Sequence, residues 1–206
     1  MTHAFITGAG SGIGAAISKT LAEQGLQLSL VGRRQEALIN VANSLPGQHW
    51  TASCDVTDSA AVAQTVSAAT AANGPISILI NCAGAAPTVA FHKMDFNLWQ
   101  QTIDINLNGA YHCIQAVLPS MLDAGYGRII NIASSASQKG YAYVSAYCAA
   151  KHAVLGLTRA LALEVATKGI TVNAVCPSYT DTDIIRGAIK NIAEKTGQTE
   201  AQAANH

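Results

Sequence analysis

The chain has 206 residues, half of them hydrophobic and 12% charged, with twelve Lys and Arg balanced by twelve Asp and Glu. That length is enough to bury a substantial core, and the zero formal charge argues against a nucleic-acid or anionic-membrane partner. Cys54, Cys82, Cys113, Cys148 and Cys176 are scattered and odd in number, which suits small buried hydrophobes in a reducing, cytoplasmic setting better than a disulfide or metal scaffold.

The opening MTHAFITGAG has no basic region followed by a long apolar run, so neither a signal peptide nor a membrane span is expected. His3–Thr7 predicts a first strand, and Gly12–Gln24 a helix stopped by Gly25. Gln27–Val31 predicts a second strand, Gln35–Ser44 a helix ended by Pro46-Gly47, and His49–Cys54 a third strand. A helix over Ser59–Ala72 is stopped by Asn73-Gly74-Pro75, and the apolar run Ile76–Asn81 predicts a fourth strand. One long helical region covers Asn97–Asp123, tightened near Pro119. Gly127–Ala133 predicts a fifth strand, Ala146–Thr167 a long helix and Ile170–Val175 a sixth strand. A further helix is expected over Ile184–Ala193, before a polar, weakly patterned tail from Lys195 to His206.

Near-continuous apolar strands alternating with helices predict a single α/β domain over residues 1–206. Its expected form is a doubly wound parallel sheet in a three-layer α/β/α arrangement. The loop Thr7-Gly8-Ala9-Gly10-Ser11-Gly12-Ile13-Gly14 joins the first strand to the first helix. Glycines there let backbone N–H groups approach a phosphate, and the helix N-terminus favours negative charge. Gly8, Ser11, Gly12, Ile13 and Gly14 are therefore candidates for holding the pyrophosphate of a dinucleotide, the signature of a Rossmann-type fold. The second strand ends in Val31-Gly32-Arg33-Arg34, without the acid that would bind a ribose 2′-hydroxyl. Arg33 is placed to pair with a 2′-phosphate, which favours NADP(H) over NAD(H); the competing reading is a solvated surface arginine.

From His3 to about Thr182 the sequence resembles the short-chain dehydrogenase/reductase family. TGAGSGIG at Thr7–Gly14, Asp55-Val56, Asn81-Cys82-Ala83-Gly84, Asn106, Ser134, Tyr147-x-x-x-Lys151, Cys176-Pro177-Ser178 and Thr182 stand in the family's order. The resemblance implies that Asp55 holds the adenine amino group beside the Val56 backbone. It implies that Asn81, Ala83 and Gly84 line the adenosine ribose, and that Pro177 and Thr182 lie at the nicotinamide. Two positions depart from the pattern: Cys82 replaces a second asparagine, and Ser178 stands where glycine is usual, though serine accepts positive φ less readily. The family continues through another helix and a seventh strand, so relative to it this chain, ending at His206, is expected to be incomplete at the C-terminal edge. The resemblance also implies a substrate lid over residues 178–206. A homodimer or homotetramer would form through helices near Gln100–Leu122 and Tyr147–Thr167.

Ketone reduction needs a hydride on carbon and a proton on oxygen. Tyr147 is the candidate acid/base, and Lys151, one helical turn on, shares its face; a nearby ammonium lowers a phenol's pKa. Ser134 lies thirteen residues before Tyr147, the family's separation for its substrate-orienting serine, with Ser135 as the neighbouring competitor. Asn106, on the resemblance alone, would bind a water connecting Lys151 to solvent. Ile184, Ile185, Ile189, Tyr141, Tyr143 and Val144 suggest an apolar wall, and Ala146–Pro177 resembles ketoreductases of 3-oxoacyl thioesters. The expected function is NAD(P)(H)-dependent interconversion of a small-molecule ketone and secondary alcohol. The alternative is a nucleotide-binding but catalytically idle module.

Overall fold

The computed structural model describes residues 2–178, 180 and 199. Thr182 and the expected helix Ile184–Ala193 lie outside the described residues. Six strands build one parallel sheet: β1 His3–Thr7, β2 Gln27–Gly32, β3 Trp50–Ser53, β4 Ile78–Asn81, β5 Gly127–Ile132 and β6 Ile170–Val175. Their order is β3-β2-β1-β4-β5-β6. The order reverses between β1 and β4, and in open α/β sheets a ligand crevice forms outside the carboxyl ends of the strands at that point.

The helices are α1 Gly12–Glu23, α2 Gln35–Asn43, α3 Ser59–Asn73, α4 Phe96–Ile103, α5 Gly109–Ala124 and α6 Ser145–Glu164. Successive strand residues point to opposite faces, so each apolar strand feeds two cores. Phe5, Leu79, Ile129 and Val172 pack with Val62 and Val66 of α3, Cys113 and Val117 of α5, and Leu161 of α6. Ala4, Ile6, Leu28, Leu30 and Ile80 pack with Ala22 of α1 and Leu38 of α2. The central strands thus bury both faces between helical layers, the predicted three-layer form.

The sequence-based expectation fails over Asn97–Asp123. Instead of one helix there are two, α4 and α5, separated by a π-helical turn at Asp104–Asn108. The Asp95 carboxylate starts α4 by accepting the Leu98 N–H at 2.7 Å. Pro119 lies inside α5 without ending it. Strands β3 and β4 are shorter than predicted. The Ser77 N–H donates to the His3 carbonyl at 3.0 Å and leads into β4, while His49 Nε2 lies 3.0 Å from the Pro46 carbonyl before β3.

Candidate functional site

The candidate site lies at the carboxyl ends of β1, β4 and β5. Thr7, buried at the end of β1, ties two of its loops together. Its Oγ1 accepts the Cys82 and Ala83 N–H groups at 3.0 and 3.1 Å, and its own hydroxyl points to the Ile80 carbonyl at 3.5 Å. The loop after β1 and the turn after β4 are correspondingly close. A Cβ on Gly8 would stand 2.9 Å from the Ala83 nitrogen, and one on Gly14 would collide with the Gly8 carbonyl. Ser11 caps α1 in an extended conformation with no side-chain cap bond, and no acid occupies the first turn. The N–H groups of Gly12, Ile13 and Gly14 therefore remain for an anionic ligand, as a dinucleotide pyrophosphate requires.

The two arginines after β2 diverge. Arg34 donates from Nη2 to Ser11 Oγ at 3.3 Å, whereas Arg33 acts on Asp55. The Thr57 N–H, bonded at 3.0 Å, holds the Asp55 carboxyl below its ordinary range against some burial. The Thr57 hydroxyl at 2.8 Å and the Arg33 charge add to that effect. Beside it Val56 is buried, and its carbonyl lies 2.9 Å from His112 Nδ1. The sequence reading chose Arg33 from the Arg33-Arg34 pair, whereas it is Arg34 that bonds Ser11 of the glycine loop. The paired basic residues were visible, but which one turns toward the glycine loop depends on Arg34 being the N-cap residue of α2.

The predicted chemical residues converge. Ser134 caps a 3-10 turn at Ser135–Ser137, accepting the Ala136 N–H at 3.1 Å, while its own N–H donates to Ser137 Oγ at 3.2 Å. Its hydroxyl is in hydrogen-bonding reach of the Tyr147 phenol. The competing Ser135 hydroxyl is instead 2.9 Å from the Tyr141 hydroxyl. Lys151 Nζ lies 5.6 Å from the Tyr147 ring centroid and donates to the Ile132 carbonyl at 2.7 Å. The expected lowering of the phenol by the ammonium is not what the arrangement produces. Burial pushes the Tyr147 pKa up, opposed by the Ser134 hydrogen bond. Burial also pulls Lys151 down to about 8, against the influence of Cys82 and Cys176.

Asn106 sits in the π-helical turn, 2% exposed. Its Nδ2 donates to the Ala85 and Thr102 carbonyls at 2.8 and 2.9 Å, while its Oδ1 is buried without a partner. A Cβ on Gly84 would meet that oxygen at 2.7 Å and Lys151 Nζ at 3.7 Å, so this glycine keeps the loop close to both groups. Asn81 turns its amide into the sheet, donating from Nδ2 to Asn131 Oδ1 at 2.9 Å. Its Oδ1 is also buried and unpartnered. That leaves the backbone through Ala83 and Gly84 to face the crevice. Thr7, Asn81, Asn106, Asn131 and Lys151 line a cavity of about 10 Å³, at the lower limit for one water molecule. Pro177 stands beside β5, its carbonyl accepting the Ser135 N–H at 2.8 Å.

A profile of the family described as short chain dehydrogenase matches residues 2–193. D-beta-hydroxybutyrate dehydrogenase of Rhizobium meliloti is 36% identical over 207 residues, covering 98% of this chain and 80% of the relative. Acetoacetyl-CoA reductase of the same organism is 38% identical over 192 residues, covering 92% and 78%. A crystal structure of an actinorhodin polyketide ketoreductase variant with NADPH aligns with a TM-score of 0.94 at 33% identity, covering 98% of this chain and 79% of that one.

Proposed function

Because the chain belongs to the short-chain dehydrogenase family, we propose that it interconverts a ketone and a secondary alcohol with a nicotinamide cofactor, Tyr147 exchanging the proton. The observation that carries this reading is the meeting of Ser134, Tyr147, Lys151 and Asn106 beside the unspent N–H groups of α1. The residues fit the cofactor: Gly8 and Gly14 leave room for backbone approach, and the start of α1 offers donors without a competing acid. The bound cofactor supplies the hydride.

The protein supplies position and the proton. The Ser134 hydroxyl bonds the substrate carbonyl and holds it against the Tyr147 phenol. Burial keeps that phenol protonated until the carbonyl oxygen gains charge, and Tyr147 then gives up its proton. Lys151 would hold the nicotinamide ribose with the ammonium donors that the Ile132 carbonyl leaves free, and its charge would favour the phenolate once the proton has gone. Asn106 Oδ1 and Lys151 Nζ flank space for a water that returns the proton. Pro177 and Thr182 would border the nicotinamide, while Asp55 and Val56 would border the adenine.

NADP(H) is the favoured cofactor. Arg33 and Arg34 follow β2 where an NAD-selective acid would stand, and a guanidinium suits a 2′-phosphate. A 3-oxoacyl or 3-hydroxyacyl compound is the favoured substrate class, supported by the names of the hydroxybutyrate and acetoacetyl-CoA relatives. Tyr111 and Leu122 on α5 and Leu163 on α6 are exposed apolar residues suited to a homodimer or homotetramer contact. The setting is the cytoplasm; among the described residues, no helix is long and apolar enough to cross a membrane.

The decisive measurement is oxidation of NADPH and NADH on acetoacetyl-CoA, for wild type and Tyr147→Phe. Wild type should turn over, and Tyr147→Phe should lose at least about a thousandfold in kcat while still binding cofactor. A folded, cofactor-binding wild type with no turnover on a panel of ketones would instead favour the idle nucleotide-binding module.

A further inference from the structure

Residues Asp55–Asp58 form a turn closed by the Asp58 N–H on the Asp55 carbonyl at 3.1 Å. That bond does not involve the middle peptide, between Val56 and Thr57, and the tilt of the middle peptide is what separates one turn class from another. Here both edges of that peptide are held. Its N–H, on Thr57, donates to Asp55 Oδ1 at 3.0 Å, and the Thr57 hydroxyl donates to the same oxygen at 2.8 Å. Its carbonyl, on Val56, accepts from His112 Nδ1 at 2.9 Å. A carbonyl only accepts, so the proton of the neutral ring lies on Nδ1.

His112 reaches this turn from α5. Gly109 and His112 are three residues apart and share a face of the helix. A Cβ on Gly109 would press on Val56 Cγ2 at 2.5 Å, so the glycine lets α5 come close enough for the imidazole to bond the carbonyl. The buried Val56 side chain anchors its own Cα, but packing alone does not set the tilt of the peptide beyond it. A peptide unit is planar, with its carbonyl and N–H on opposite edges. The ring that holds the Val56 carbonyl therefore also sets the direction of the Thr57 N–H. That N–H is the largest influence keeping the Asp55 carboxyl below its ordinary range. Both Thr57 bonds fall on Oδ1, and Oδ2 of this exposed residue is the oxygen left for a ligand.

On the reading given above, in which Asp55 and Val56 border the adenine, we infer that His112 is a positioning residue for the cofactor: through the Val56–Thr57 peptide it aims the Asp55 carboxylate at the adenine amino group. A cofactor without that amino group gains nothing from the aim. That separates positioning from plain support of the fold.

The test measures dissociation constants by fluorescence titration for NADPH and for its hypoxanthine analogue, in which a carbonyl oxygen replaces the adenine amino group. NADH and its own analogue are used if wild type prefers NADH. Wild type should bind the adenine cofactor about tenfold more tightly than the analogue. His112→Phe keeps a ring and removes the donor. It should weaken the adenine cofactor about fivefold and the analogue less than about twofold, narrowing the preference to about two- to fourfold. His112→Asn, whose Nδ2 stands in the place of the ring Nδ1, should keep the wild-type preference within about twofold. If His112→Phe does not fold, His112→Leu, a stronger helix former, replaces it. A lowered melting temperature with an unchanged preference for adenine overturns the inference and leaves His112 a contact of the fold alone. Equal narrowing in the Asn and Phe variants also overturns it. A wild type that binds neither NADPH nor NADH removes the functional reading, and one that binds the adenine and hypoxanthine cofactors alike removes the adenine site at Asp55; either result takes this inference with it.

Discussion

Lys151 is buried where an ammonium is poorly solvated, and its pKa falls from 10.5 to about 8. Below pH 8 the native chain carries that charge at a cost the unfolded chain avoids. Between about 8 and 10.5 the unfolded chain holds the proton more tightly, so this group's contribution to stability rises with pH across that window. Lys151→Met should therefore gain on the order of 1 kcal/mol at pH 7, after the lost Ile132 bond is counted, and show a flatter pH dependence in denaturant melts. Wild-type cofactor affinity, followed by titration of NADPH fluorescence, should fall as pH rises through about 8 and the ammonium is lost. Gly84→Ala should weaken turnover at least about tenfold, because its Cβ would press on Asn106 Oδ1 at 2.7 Å. The Tyr147–Lys151 spacing and the Ser134 position could be read from the chain. The raised phenol and the Lys151–Ile132 bond could not, since burial and backbone partners are set by residues far away in sequence.

At the scale of elements, all six described strands were visible as apolar runs punctuated by glycine, proline and asparagine. The π-helical turn at Asp104–Asn108 was not. A single wide turn displaces the helix phase by about one residue, too little to stand out in the short apolar pattern on either side. Its consequence is nevertheless specific: Asn106 spends both amide protons on Thr102 and Ala85 and leaves its oxygen bare. Asn106→Leu removes both bonds from a buried site and should lower the melting temperature by several degrees. It should also depress kcat more than KM in steady-state assays. Loss of stability with untouched kcat would restrict Asn106 to holding the turn together.

The whole molecule has two unlike poles. At the end opposite the site, His3 is 1% exposed, with Nδ1 2.8 Å from the Gly74 carbonyl and Nε2 2.8 Å from Ser29 Oγ. A neutral ring protonated on Nδ1 satisfies both partners. Burial lowers its pKa from 6.5, opposed by the Gly74 bond. As pH falls below 6.5 the unfolded chain takes up the proton first, so stability drains away from that value downward through the lower native pKa. Thermal melts between pH 7 and 5 should show a steeper loss for wild type than for His3→Asn. Parallel strands place every helix-to-strand turn at this pole and every strand-to-helix loop at the other. Gln48 and Lys168 lie in two of those distal turns and are exposed. A dye, affinity handle or sensor surface joined through either residue would leave the crevice above Lys151 facing open solution. The winding of the sheet thus gives the protein a built-in direction for immobilisation.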